Sequence, residues 1–148
     1  MIHSILKHSH SGLRWVLLFF ILTAVVTAFL SWKQNKNYGK NDKIIHLVTL
    51  ILMHTQLLIG LILFFIGWGV KIDFSQMANS MIRFYTVEHS LMMILAVTAV
   101  TIGYSKSKKI SDSASRFKTI FYTYLIALIL IFLAIPWPFR SNLGAAWF

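Results

Sequence analysis

Four apolar runs, Leu13–Trp32, Ile44–Trp68, Met81–Tyr104 and Phe117–Trp137, dominate this sequence. Each reaches the roughly 20 residues that a helix needs to cross the hydrocarbon core of a bilayer. In that solvent every backbone N–H and C=O must be satisfied within the segment, so such runs take the form of helices. The links between them are short. Residues 1–148 therefore read as a single domain, an all-α membrane protein built as a four-transmembrane-helix up-down bundle. A soluble chain of this length needs far more charge to cover its surface than the 12% found here, against 57% hydrophobic residues.

The net charge of +10 points to orientation rather than to nucleic acid, because the charges flank the apolar runs. Lys33, Lys36, Lys40 and Lys43 follow the first run, and Lys106, Lys108, Lys109, Arg116 and Lys118 lie between the third and fourth. The opposite side carries Lys7, Arg14, Lys71, Arg83 and Arg140. Nine basic residues against five predict that both Lys-rich loops are cytoplasmic and both termini face out. The chain has no cysteine, which excludes thiolate metal sites, iron–sulfur clusters, disulfides and covalently attached haem.

Along the chain, residues 1–12 are mildly amphipathic and suit the outer interface, with Ser11 as N-cap of the first span and Arg14-Trp15 as its anchor. Asn41 or Asp42 suits the cap of the second span. Gly67-Trp68-Gly69 ends that span, and Ser75, Asn79 and Ser80 offer caps for the third. Pro136-Trp137-Pro138 stops the fourth, since neither proline can continue a helix. The Trp147-Phe148 end is apolar enough to touch lipid.

Ionisable side chains inside apolar spans are functional candidates, because burying them uncompensated costs several kcal/mol. Two imidazoles, His54 and His89, fall near the midpoints of their spans, at depths about 6 Å apart. On adjacent antiparallel helices such a pair can supply both axial ligands of a haem iron. Leu50, Ile51, Leu57, Leu58 and Met93 would face the porphyrin. Arg14, Arg83 and Arg140, all placed outward, would hold its propionates. The bland alternative is that each histidine only hydrogen-bonds a neighbouring helix. Glu88 needs a cation, with Arg14, Arg140 or His10 as candidates. It is otherwise a proton acceptor, for instance beside a quinone. His8 and His10, with Met53, Met92 and Met93, raise a copper route, since imidazole and thioether both suit that metal. His46 reads as an interfacial polar residue without an ionisable partner.

Four segments, His10-Ser-Gly-Leu-Arg-Trp15, His54-Thr-Gln-Leu-Leu-Ile-Gly60, Arg83-Phe-Tyr-Thr-Val-Glu-His89 with Met92-Met93, and Ile135-Pro-Trp-Pro-Phe-Arg140, together resemble a group of small bacterial four-helix membrane proteins labelled cytochrome b-like. There is a more distant similarity to copper-resistance membrane proteins of the CopD type. The resemblance implies non-covalent haem b, with His54 and His89 as ligands and His10 as a further haem-site residue. Tyr104 stands after Gly103 where many members of the group carry a histidine, so a second haem relying on it is not expected.

The resulting expectation is a haem-binding subunit for single-electron transfer, rather than a stand-alone enzyme, between a membrane donor such as quinol and a redox partner. The alternatives are a copper-handling membrane protein and a structural subunit of a larger membrane complex.

Overall fold

The fold was examined in a computed structural model that describes residues 2–66 and 72–143, with the backbone alone at Ser141. The expected end of the second span at residues 67–69 and the apolar terminus at 147–148 lie outside the described residues. Four helices are long and apolar enough to cross a membrane: α1 (Ile2–Lys33), α2 (Lys40–Ile66), α3 (Ser80–Ser107) and α4 (Ser113–Ala134). They pack in a ring in which each touches the next and α4 closes onto α1. The α2–α3 seam is the sparsest of the four.

Periodicity explains the core. Leu17, Ile21, Ala24, Val25 and Ala28 of α1 meet Phe117, Ile120, Tyr124, Ala127, Leu128 and Ile131 of α4, spaced three and four apart on each helix. From α3 come Ala96, Val97 and Val100, and from α2 Met53. The opposite faces stay apolar and exposed, as at Phe19, Leu58, Phe65 and Leu133, which suits a lipid solvent.

Helix ends follow local chemistry. After α1, Asn35 takes φ 51° and the Lys36 amide donates to the Ser31 carbonyl at 3.0 Å. This is a left-handed stop with asparagine in the place usually taken by glycine. Asn79 caps α3 by accepting from the amides of Met81 and Ile82. Asp112 caps α4 through the Ser115 amide, and its hydrogen bonds to Ser115 hold its carboxyl below the usual range. The fourth helix stops at Ala134 rather than at Trp137, because Ile135 precedes a proline and is extended there.

Three expectations need correction. The first twelve residues are not a separate interfacial piece: α1 runs from Ile2, and Ser11 is buried mid-helix instead of capping. No proline interrupts the segment, and His10 and Ser11 face the bundle, so packing carries the helix through. Glu88 pairs with Arg83 at 2.7 Å, not with Arg14, Arg140 or His10. Residues Phe84–Glu88 form one π turn, and i→i+5 hydrogen bonding brings residues five apart onto one face.

His46, finally, is 1% exposed and far from partnerless. Its Nδ1 lies 3.0 Å from the Tyr38 hydroxyl, and its carbonyl accepts from Tyr124. Tyr38, in the α1–α2 link, stacks on His46 and carries the Arg116 guanidinium 3.7 Å above its ring. Desolvation there pushes the Tyr38 phenol up to about 12. A raised value means the folded state holds that proton more tightly. The Tyr38 contribution is therefore fully present below pH about 10 and is lost as pH rises through about 12. Ultraviolet difference titration of wild type against Tyr38→Phe should show this late-titrating tyrosine. A phenol ionising at the ordinary value would contradict the packing.

Candidate functional site

At the end of the bundle opposite the Lys-rich loops, the four helices surround a cavity of about 70 Å³. Helical spacing sets its walls: His10, Arg14 and Leu17 from α1; Gln56, Gly60 and Phe64 from α2; Thr86, His89, Ser90 and Met93 from α3; Ile131 from α4, with Ile135 just past its end. An adjoining lobe of about 50 Å³ shares several of these residues and adds Met53.

Two imidazoles dominate it. The rings of His10 and His89 have centroids 6.4 Å apart and planes inclined at 65°. His89 Nδ1 lies 2.8 Å from the Ala134 carbonyl. A carbonyl only accepts, so Nδ1 carries the proton, and in the neutral ring Nε2 is left with its lone pair. The chain explains why that carbonyl is available. In a continuing helix it would accept from residue 138, but position 138 is proline and has no N–H. The Pro-Trp-Pro stop thus supplies the acceptor that fixes the His89 tautomer.

His10 is placed by α2. Gln56 donates its side-chain amide to the His10 carbonyl at 2.9 Å. Gly60 leaves room for the ring: a Cβ there would sit 3.0 Å from His10 Cε1.

The expected His54–His89 pair is not brought together. His54 is exposed on the side of the bundle, donates from Nδ1 to the Leu50 carbonyl at 2.9 Å, and has Nε2 3.4 Å from Thr101 Oγ1. Thr101 lies twelve residues beyond His89, or about 18 Å along the helix. The depth estimate failed because α2 is offset along its axis relative to α3, which span midpoints do not register. His54 therefore has the local hydrogen bonding of a structural histidine, and His10 is the imidazole that meets His89.

Of the arginines, Arg14 lines the cavity, with its guanidinium 5.1 Å from the Trp15 ring centroid. Arg140 lies over the buried Phe84 ring at 4.9 Å, and Arg83 is engaged with Glu88. Leu57 and Met93 face the smaller lobe, whereas Ile51 and Leu58 are more than half exposed. His8 is exposed and outside the site. Tyr85, Thr86 and Ser90 were not singled out by sequence, although they follow the one-turn spacing around His89. Ser90 donates its hydroxyl back to the Tyr85 carbonyl across the π turn.

The donor chemistry fits a metal that brings its own in-plane ligands. Ring nitrogens lie about 1.1 Å from an imidazole centroid and bind metals at about 2.0–2.1 Å, so two imidazoles across one metal hold their centroids about 6.2–6.4 Å apart. The observed 6.4 Å equals that spacing, and at 65° it is also an ordinary edge-to-face ring contact. Among the described residues no cluster of three His, Cys, Asp or Glu side chains is present, so the site brings two imidazoles together without a third such group. The free volume is a different matter. At about 70 Å³ the cavity holds a few waters, so seating a tetrapyrrole requires the sparse α2–α3 seam to part.

Comparison with models of protein families, with curated proteins and with solved structures finds no match for this chain.

Proposed function

We propose that this chain is a haem b protein of a bacterial inner membrane, in which His10 and His89 would hold the iron, and that it transfers single electrons between a membrane donor such as a quinol and a redox partner. One observation supports the reading: imidazoles from two different helices line one cavity with their ring centroids 6.4 Å apart, and among the described residues no third His, Cys, Asp or Glu joins them. Bound haem would supply a one-electron iron couple. His89 is held for ligation by Ala134, and His10 by Gln56 and the space at Gly60. Arg14, at the cavity wall, suits a propionate. Leu17, Phe64, Met93 and Ile131 keep the site apolar and exclude water.

The test is a reduced-minus-oxidised visible spectrum of detergent-purified protein, with pyridine haemochrome confirmation. A sharp alpha band is expected. A colourless protein after expression with ample haem supply would end the reading.

A second reading has its own observation. The smaller lobe is lined by His10, Met53, His89 and Met93, two imidazoles and two thioethers around about 50 Å³, a size and donor set that suit monovalent copper. Stoichiometric copper in a haem-free sample would favour it. His8, part of the original copper route, does not belong to this set.

The orientation proposed from charge is N-out and C-out. With single cysteines at Asn37 and Ser141, an impermeant maleimide added to intact cells should label the Ser141 variant and spare the Asn37 variant. Labelling at Asn37 would reverse the assignment.

A further inference from the structure

At the Lys-rich end of the bundle, two lysines from different helices share one indole. Lys33, the last residue of α1, has its ammonium 4.6 Å from the Trp32 ring centroid, and Lys118, in the second turn of α4, has its own 5.6 Å away. Both side chains are exposed, and among the described residues neither forms an ion pair. Three other cations at this end are engaged elsewhere, Lys36 with Asp42, Lys108 over Tyr104 and Arg116 over Tyr38, and Lys40, Lys43, Lys106 and Lys109 have no ring contact of this kind among the described residues. Asp112 is held at the α4 N-cap. The α1–α4 seam thus ends in two ammonium groups that no described carboxylate pairs.

Beneath them the seam is aromatic. Trp32 packs on Phe121 and Tyr122 at about 6 Å, and Phe29 lies 5.2 Å from Phe121. From the helix ends toward the bundle centre, the order is cationic, then indole, then phenyl. Water or a free anion would satisfy the lysines but not the exposed rings. An amphiphile with a phosphate at the interface and acyl chains below it satisfies both.

We infer that the Lys33–Trp32–Lys118 corner is a binding site for an anionic phospholipid, its phosphate between the two ammonium groups and an acyl chain along Phe29 and Phe121. The site does not depend on the metal reading, since it lies at the opposite end of the bundle. Specificity comes from charge: a zwitterionic choline headgroup sets its own cation against the two lysines.

Titration of purified protein in mixed micelles tests this, with the rise in thermal midpoint as readout. Phosphatidylglycerol should stabilise the wild type, and phosphatidylcholine or inorganic phosphate at equal concentration should not. Lys33→Gln/Lys118→Gln should weaken the apparent phosphatidylglycerol affinity about thirty-fold, taking each lysine as one basic contact at a charged lipid surface. Lys106→Gln/Lys109→Gln removes the same charge from the neighbouring end of α3 and the loop after it, and should leave the affinity within about two-fold. Equal loss in the two double variants would show only diffuse attraction to this end of the molecule. No loss in either, or a response to phosphate alone, would also overturn the site. Native mass spectrometry of the same variants, counting retained phosphatidylglycerol, gives a readout independent of unfolding.

Discussion

Alanine at His89 or at His10 is expected to abolish the low-spin haem spectrum, while alanine at His54 leaves it intact. Each of the first two substitutions deletes one of the two neighbouring imidazoles, and among the described residues no other His, Cys, Asp or Glu forms a group with them to replace it. A single remaining axial ligand gives a high-spin or empty site. His54, turned to Leu50 and Thr101, has no part in the cavity. Loss of His89 also strips the Ala134 carbonyl of its donor, and leaving such a group unsatisfied costs about 1–3 kcal/mol. His89→Gln separates the two effects, since its amide can still donate to Ala134 while offering no imidazole. Folded protein without haem is the expected result. An unchanged spectrum in both His10→Ala and His89→Ala, or its loss in His54→Ala alone, would dismantle the assignment.

The second large effect is steric. Gly103 on α3 lies against Thr123 on α4, and an added Cβ would overlap the Thr123 hydroxyl and come within 2.6 Å of its Cβ. Both atoms sit close to the helix backbone, so no flexible chain end can swing aside. The α3–α4 interface must separate instead, along one of the most extensively packed seams of the bundle. Overpacking of this kind costs about 1–3 kcal/mol, and more where the backbone must move. Gly103→Ala should therefore lower the thermal midpoint in detergent clearly, and Gly103→Leu should prevent stable folding. Thr123→Gly should recover part of the loss in the double variant, giving a coupling of about 0.5–3 kcal/mol despite the helix penalty of a second glycine. A Gly103→Ala protein as stable as wild type would mean that the two helices do not approach this closely.

How much of this was legible beforehand differs from residue to residue. The number of helices and their places in the chain follow from the four apolar runs, because a backbone in hydrocarbon has few other ways to satisfy its polar groups. Asn79 and the proline stop were readable from local chemistry alone. His89 could be singled out as an imidazole set in an apolar run. Its partner could not. His10, Gln56, Gly60 and Phe64 carry a visible three- and four-residue spacing around the cavity, but spacing within a helix says nothing about axial offset between helices. The π turn that pairs Arg83 with Glu88 left no recognisable mark in the residue pattern.

By itself, then, the sequence determined that this chain is helical, apolar on its outer faces and long enough in four places to span a bilayer. Hydrophobicity and backbone hydrogen bonding act within a segment and need no knowledge of its neighbours. Tertiary structure alone decided that His10 rather than His54 meets His89, that Gly103 rather than Gly60 sits at the tight helix crossing, and that Lys33 and Lys118 share one indole. Those outcomes depend on the rotation and sliding of rigid helices past one another, and a shift of one helical turn, about 5.4 Å, is enough to exchange one partner for another.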